Sequence, residues 1–114
     1  MTNSELKNIF TDIPAQLPAE LFEILLQNKH VKIERILSKG QASPVDFWYD
    51  QSHAEWVILL EGQARLQFAQ DGSIITLTAG DYLFIPAHKK HRVDWTDPAV
   101  TSIWLAIHLF ENSK

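Results

Sequence analysis

Apolar and polar residues alternate along most of this chain, in short runs separated by turn-forming residues. Ala64, Leu66 and Phe68 alternate with polar neighbours, which is the period of a β-strand with one buried face. The Asp71-Gly72 pair that follows is a strong hairpin signal before the next apolar run. The pattern therefore predicts two adjacent antiparallel strands.

Strand signals occur over most of the remaining chain. An extended run begins at Val31, Gly80-Asp81 marks a turn, and Tyr82 to Ile85 is a short apolar strand that ends at Pro86. The last long strand is predicted from Val100 to Phe110. Many short strands with closely spaced turns, and no repeated helix between them, predict an all-β sandwich or barrel.

One segment near the N-terminus has a different period. Leu21, Ile24 and Leu25 follow a helical spacing, and Pro18 suits the first position of a helix. We predict a short helix at about residues 18–27. It would belong to an N-terminal segment, residues 1–30, that packs on a β-barrel formed by residues 31–114.

Composition narrows the classes of function. The 114 residues suit one domain, and the absence of cysteine excludes disulfides and thiolate metal sites. A net charge of −4 with scattered Lys and Arg argues against nucleic acid as a partner. Met1 to Phe10 contains no long apolar run, which argues against a secretory signal or a membrane span and makes the cytoplasm the expected location.

A row of polar side chains precedes the central apolar run. If this segment is extended, Tyr49, Gln51, His53 and Glu55 share one face. Such a row needs no ligand when it faces water. Val57, however, lies on the same face as Glu55 and is apolar, as expected of a residue that points into the core. We therefore predict that the row points into the barrel and lines a pocket.

Three further histidine and tryptophan positions are candidates for the same pocket. His91 is the second histidine of an HxxH pair whose first member, His88, is expected at the barrel rim. Trp95 continues the parity of His91 and is predicted as a pocket wall. His108, near the end of the last strand, is either a pocket wall or a satisfied core histidine.

Two segments resemble the motifs of the cupin family. Glu55 to Gly62 resembles the end of cupin motif one, and Gly80 to His91 resembles motif two in its glycine, proline and final histidine. The chain is also similar to a subgroup of small cupins of unknown function, through the sequences Trp-Tyr-Asp-Gln, Glu-Trp-Val, Ile-Pro-Ala-His and His-Arg-Val. The resemblance covers roughly Lys39 to Leu109 and implies a double-stranded β-helix, or jelly roll.

The resemblance also implies a metal site. In metal-binding cupins, two histidines and a glutamate of motif one and a histidine of motif two hold a divalent metal. Glu55 and His91 match two of these positions, but Tyr49 and Gln51 stand where the paired histidines belong. His53 lies on the same parity and could compensate. The candidate metal ligands are Gln51, His53, Glu55 and His91, for iron, manganese, nickel or zinc.

A register shifted by one residue is an alternative. It would place Trp48 and Asp50 at the positions of the paired histidines, and it would require a bulge before Glu55.

Three functions remain open at this point. The first is a metal-dependent enzyme of the oxygenase or isomerase type that acts on a small organic substrate. The second is a metal-free barrel that binds or senses a small polar ligand. The third is a structural module, expected to be a homodimer formed through an edge strand and the N-terminal helix.

Overall fold

The structure is a computed structural model that describes residues 5–111. Within this range the regular structure consists of eight β-strands, and no α-helix occurs. The strands are β1 (Leu21–Gln27), β2 (Val31–Ser38), β3 (Ala54–Glu61), β4 (Gln63–Phe68), β5 (Ile74–Thr78), β6 (Tyr82–Ile85), β7 (His91–Thr96) and β8 (Ser102–Leu109).

The strands form two antiparallel sheets. One has five strands in the order β1-β2-β8-β3-β6, and the other has three in the order β5-β4-β7. The main hydrophobic core joins both sheets, with Val57 and Ala106 from the first and Leu66, Phe68 and Leu77 from the second. The predicted all-β class is confirmed.

The predicted helix at residues 18–27 is wrong. Leu21–Gln27 is strand β1, which pairs with β2 along its length. A register shift between Ile24 and Leu26 leaves Leu25 as an extra residue in the strand. Because such a bulge shifts the side-chain parity by one, a bulged strand can carry the i, i+3, i+4 spacing that is typical of a helix.

A tight turn at Asn28 explains why the chain folds back here. The Asn28 side-chain oxygen accepts hydrogen bonds from the backbone N–H groups of His30 and Val31, at 2.8 and 3.0 Å. The Asn28 N–H donates to the Val31 carbonyl at 2.9 Å. Asparagine favours such turns because its side chain mimics a backbone acceptor. In the antiparallel β1–β2 ladder, the backbone N–H and C=O groups form hydrogen bonds between the two strands. In a helix, the same groups would have bonded within the segment.

Strand β2 is covered on both faces. Arg35 is 6% exposed, and its guanidinium donates to the Ile9, Thr11 and Asp12 carbonyls and to Glu23. These bonds hold the segment before β1 against one face of β2. The opposite face of β2 is therefore the one that faces the interior of the barrel.

A single glycine connects β3 to β4. Gly62 has a φ of +94°, and a Cβ atom built there would lie 2.7 Å from the Ser102 Cα. Only glycine adopts this conformation without strain and leaves room for the neighbouring strand.

Candidate functional site

A cavity of about 260 Å³ opens between the two sheets. Its wall is mainly apolar and includes Phe22, Val57 and Trp104, but three carboxylates, those of Glu20, Glu34 and Glu55, also line it. This volume is slightly below the usual range of about 300–1,000 Å³ for small-molecule sites. The cavity therefore suits a compact ligand.

The register of the large sheet places the polar residues in adjacent rows. His108 on β8 lies opposite Lys32 on β2 and opposite Glu55 on β3. Glu34 lies two residues further along β2, opposite Ala106. Since side chains two residues apart share a face, Lys32 and Glu34 point to the same side of the sheet.

The segment before β3 closes one side of the cavity. Tyr49 forms an isolated bridge with His91, with N–H to carbonyl distances of 2.7 and 3.1 Å. The Gln51 carbonyl accepts the His88 N–H at 2.7 Å. These bonds hold Tyr49 and Gln51 at the cavity, which they line together with Glu55 of β3. The chain bends at Ser52 and His53, between Gln51 and the start of β3.

Glu55, Gln51 and His91 form one polar group. The Gln51 side-chain N–H donates to Glu55 Oε1 at 3.0 Å, and His91 Nε2 lies 4.0 Å from the same oxygen. Glu55 and His91 are 9% and 6% exposed. Because the Lys89 carbonyl lies 2.9 Å from His91 Nδ1, that nitrogen carries the proton in the neutral ring, and Nε2 is left as an acceptor.

A second polar group runs along the sheet. His108 Nε2 lies 2.9 Å from Glu34 Oε1, and His108 Nδ1 lies 2.8 Å from His53 Nε2. Lys32 Nζ is 3.8 Å from the other oxygen of Glu34. Glu34 and His108 line the cavity, whereas His53 is not among the lining residues.

The environment of the cavity shifts two pKa values. Burial raises the pKa of Glu20, although the hydrogen bond from Ser38 acts in the opposite direction. Burial also raises the pKa of Tyr49, and the charges of Glu20, Glu55 and Glu34 raise it further. Three carboxylates thus act on one phenol, which indicates a negative potential inside the cavity.

The structure brings most of the predicted site residues together. Tyr49, Gln51, Glu55, His91 and His108 all line the cavity. The alternative register with Trp48 and Asp50 is not observed, since neither residue lines it.

Two predicted residues lie elsewhere, and His53 is the first of them. It stands at the outer end of the second polar group, beside Phe110, with a centroid distance of 4.7 Å between the rings.

Trp95 is the second, and its prediction as a pocket wall is wrong. A register shift in the β4–β7 ladder pairs Leu66 with Val93 but Arg65 with Trp95. The bulge reverses the parity after Val93, so Trp95 does not share the face of His91. Its ring packs instead against Arg65, with the guanidinium carbon 4.5 Å from a ring centroid.

His88 lies at the surface, as expected for a rim residue. Its Nδ1 lies 2.9 Å from Asp50 Oδ1, and its φ is +65°. It does not line the cavity.

The sequence pattern did not indicate that Glu20, Phe22, Lys32 and Glu34 line the cavity. Glu20 and Phe22 both fell within the helix predicted at residues 18–27. Lys32 and Glu34 lie on the less apolar face of β2, and such a pattern is typical of a strand face in contact with water. No local motif distinguishes them from ordinary solvent-exposed residues. The covering of both faces of β2 depends on the distant segment held by Arg35.

The residues present do not fit the four-ligand metal site of metal-binding cupins. Gln51 presents its N–H to Glu55 as a donor, and the Tyr49 ring stacks on His91 with centroids 5.4 Å apart. His53 is paired with His108 and does not line the cavity. Among residues 5–111, no group of three or more His, Asp or Glu side chains is arranged to hold a metal ion.

Comparisons with known proteins agree with this architecture. Residues 34–108 match the family model described as "Cupin domain". A cupin superfamily protein from Desulfitobacterium hafniense DCB-2 is 25% identical, with a TM-score of 0.71 over 87% of this chain and 84% of that one. An RmlC-like cupin with a double-stranded β-helix fold, from Methanocaldococcus jannaschii, has a TM-score of 0.66 at 16% identity and covers 86% of each chain.

The fold and the cavity define a small double-stranded β-helix barrel. This chain belongs to the cupin family. It is 44% identical to a putative mannose-6-phosphate isomerase from Ralstonia eutropha JMP134, with a TM-score of 0.90 over 95% of this chain and 100% of that one. Comparison with curated proteins gives no match. No helix among the described residues is long and apolar enough to cross a membrane.

Proposed function

We propose that this cupin binds a small organic molecule in its cavity without a metal ion, and that the Glu55 carboxylate accepts a hydrogen bond from that molecule. The observation that carries the proposal is the Gln51–Glu55 contact. An amide donor stands 3.0 Å from the carboxylate that a metal would otherwise neutralise.

The buried Glu55 carboxylate has room for further hydrogen-bond donors. A buried carboxylate requires hydrogen bonds, and one neutral amide satisfies only part of its capacity. A ligand hydroxyl or ammonium group would supply a further donor. His91 Nε2, an acceptor 4.0 Å from Glu55, favours the same kind of ligand group.

The charges favour neutral or cationic ligands over anions. Three carboxylates line the cavity, and Lys32 is the one Lys or Arg among the described lining residues. Lys32 already lies 3.8 Å from Glu34. A carboxylate or phosphate ligand would meet a negative potential with little compensation.

Three probes with one apolar body test this proposal: benzylamine, benzyl alcohol and benzoate. We expect the amine and the alcohol to bind and to raise the melting temperature, and benzoate to bind much more weakly. Glu55→Gln should weaken benzylamine binding by about tenfold or more, because a hydrogen bond to a charged acceptor is lost. Ligand-observed NMR and calorimetry measure the affinities.

Glu61→Gln is the matched control. Glu61 is an exposed residue of β3 that does not line the cavity, so its replacement should leave the affinities unchanged. Equal binding of benzoate, or equal effects of the two substitutions, would contradict the proposal.

Sugar-phosphate isomerisation is a second candidate. Its support is the 44% identity to the Ralstonia protein over nearly the whole chain. Incubation with mannose 6-phosphate, with and without added divalent metal, tests it directly. Because the cavity has a negative potential, which disfavours a phosphate ligand, we expect no conversion of mannose 6-phosphate to fructose 6-phosphate. Turnover that Glu55→Gln abolishes would favour this candidate over metal-free binding.

A further inference from the structure

Two of the carboxylates that line the cavity have neutral hydrogen-bond partners among the described residues. Glu55 accepts the Gln51 amide N–H at 3.0 Å, and Glu20 accepts the Ser38 hydroxyl at 2.9 Å. An ionised carboxylate that is withdrawn from water is stabilised most by a nearby positive charge. Neither of these partners supplies one, so the cavity holds two negative charges that a ligand can compensate.

The third carboxylate, that of Glu34, already has a cationic partner. Lys32 Nζ lies 3.8 Å from one of its oxygens, and His108 Nε2 lies 2.9 Å from the other. Lys32 does not serve Glu55 as well, because the two residues lie opposite His108 on different sides of β8. Two strand spacings, about 10 Å in all, separate their backbones. A ligand that balances the charge of the cavity therefore carries two positive groups.

The two uncompensated carboxylates belong to opposite ends of β2. Glu55 lies in the row of His108 and Lys32, near the start of that strand. Glu20 is bonded instead to Ser38, the last residue of the strand. A strand rises by about 3.3 Å per residue, which places these two rows about 20 Å apart along β2. Even with both side chains reaching inward, one ammonium group cannot contact both carboxylates.

The wall between the two ends is apolar. Phe22 on β1 lies opposite Ile36 on β2, and Ile36 lies opposite Trp104 on β8. All three residues line the cavity. A sugar would leave hydroxyl groups without hydrogen-bond partners along this wall, whereas a hydrocarbon chain would not. The middle of the ligand is therefore expected to be a narrow chain of methylene groups.

We propose that the cavity binds an aliphatic diamine or polyamine, with one ammonium group at Glu55, another at Glu20, and the hydrocarbon chain along the apolar wall between them. This inference rests on the proposed binding function and adds to it the second charge and the length of the ligand. Glu20 is partly exposed and Phe22 is about half exposed, so this end is the mouth of the cavity. Burial raises the pKa of Glu20, and a bound ammonium group would counteract this by stabilising the ionised form.

Calorimetry with the wild-type protein tests the inference by comparing 1,8-diaminooctane with octylamine, which has the same chain and only one charge. The diamine should bind about tenfold more tightly, because its second ammonium group gains a charged acceptor. This difference exceeds the statistical advantage of two equivalent ends. The shorter 1,4-diaminobutane cannot reach both carboxylates and should show no such advantage over butylamine.

Glu20→Gln should remove the advantage of the diamine and leave the affinities for octylamine and benzylamine unchanged. The amide oxygen of the variant can still accept the Ser38 hydroxyl, so the local structure is retained. Glu55→Gln should weaken the binding of both octylamine and the diamine. Glu61→Gln, on the exposed part of β3, should change neither.

Equal affinities for 1,8-diaminooctane and octylamine in the wild type would overturn the inference. An advantage of the diamine that persists in Glu20→Gln would overturn it as well. In both cases, binding of benzylamine that depends on Glu55 would leave the proposed function intact. If benzylamine, octylamine and the diamine all fail to bind, the proposed function fails together with this inference.

Discussion

At the scale of single residues, the amide of Gln51 determines how the Glu55 carboxylate is held. An imidazole at this position could present either an unprotonated nitrogen or an N–H group to Glu55. The Gln51 amide presents an N–H group, and its nitrogen lies 3.0 Å from Glu55 Oε1. The resemblance to cupin motifs indicated from the sequence that Glu55, Gln51 and His91 would meet. It could not indicate that Trp95 leaves this face, because the bulge in the β4–β7 ladder depends on pairing between distant segments.

His53 should make the stability of the protein depend on pH. Burial and the neighbouring His108 lower the pKa of His53 below its ordinary value of 6.5. The unfolded chain therefore binds a proton at this residue more readily than the folded protein does. This contribution to stability is complete above pH 6.5 and decreases as the pH falls below that value.

Thermal unfolding of wild type and His53→Gln between pH 8 and pH 5 measures the effect. The wild type should lose more of its melting temperature than the variant over this range. A parallel decrease in both proteins would mean that His53 is not the residue responsible.

Gly62→Ala should destabilise the protein. The φ of +94° is unfavourable for alanine, and the new Cβ would lie 2.7 Å from the Ser102 Cα. We expect a loss of at least about 1 kcal/mol and a melting temperature lower by about 4 °C or more. Gly72→Ala is an informative control: Gly72 also has a positive φ, of 72°, but a Cβ there meets no atom within 4 Å. Its loss should be smaller, and an equal loss would exclude the contact with Ser102 as a cause.

At the scale of elements, β1 shows where periodicity alone is insufficient. Its apolar spacing suited a helix, and only the partner strand β2 and the Asn28 turn decide between the two structures. The hairpin of β4 and β5 was predictable because its signals, alternation and Asp71-Gly72, are local.

Strand β1 is also an edge of the large sheet, and Ile24, Leu25 and Leu26 are about half exposed there.

We propose that this edge pairs with the β1 of a second copy, because an open apolar strand offers both backbone groups and side chains to a partner. Leu26→Lys should convert the dimer to a monomer, as measured by light scattering after size-exclusion chromatography. Tyr82→Lys, on the opposite edge strand β6, is the control and should leave the dimer intact. A monomeric wild type would contradict the prediction, and so would disruption by Tyr82→Lys alone.

At the scale of the whole molecule, the barrel was predictable because two motifs and a hairpin-rich pattern indicated it independently. The set of residues that lines the cavity was less predictable. Lys32 and Glu34 lie on β2 and His108 lies on β8, which is far away in the chain. Only the register of the β2–β8 ladder brings them together.

A chelator should have little effect on the folded protein. Since the described residues offer no suitable ligand group, incubation with EDTA should change the melting temperature by less than about 1 °C. Zinc, iron, manganese or nickel added in small excess should not raise it. A large loss with EDTA that one of these metals restores would show that a metal contributes to stability.

Binding without a metal ion, as proposed above, would have a consequence for the synthesis of the protein. Under that proposal, a barrel whose central carboxylate is held by its own chain would reach its competent form as soon as it folds. It would need neither insertion of a metal nor protection from exchange with a competing one. Cells starved of transition metals would then produce the same functional molecule as well-supplied cells.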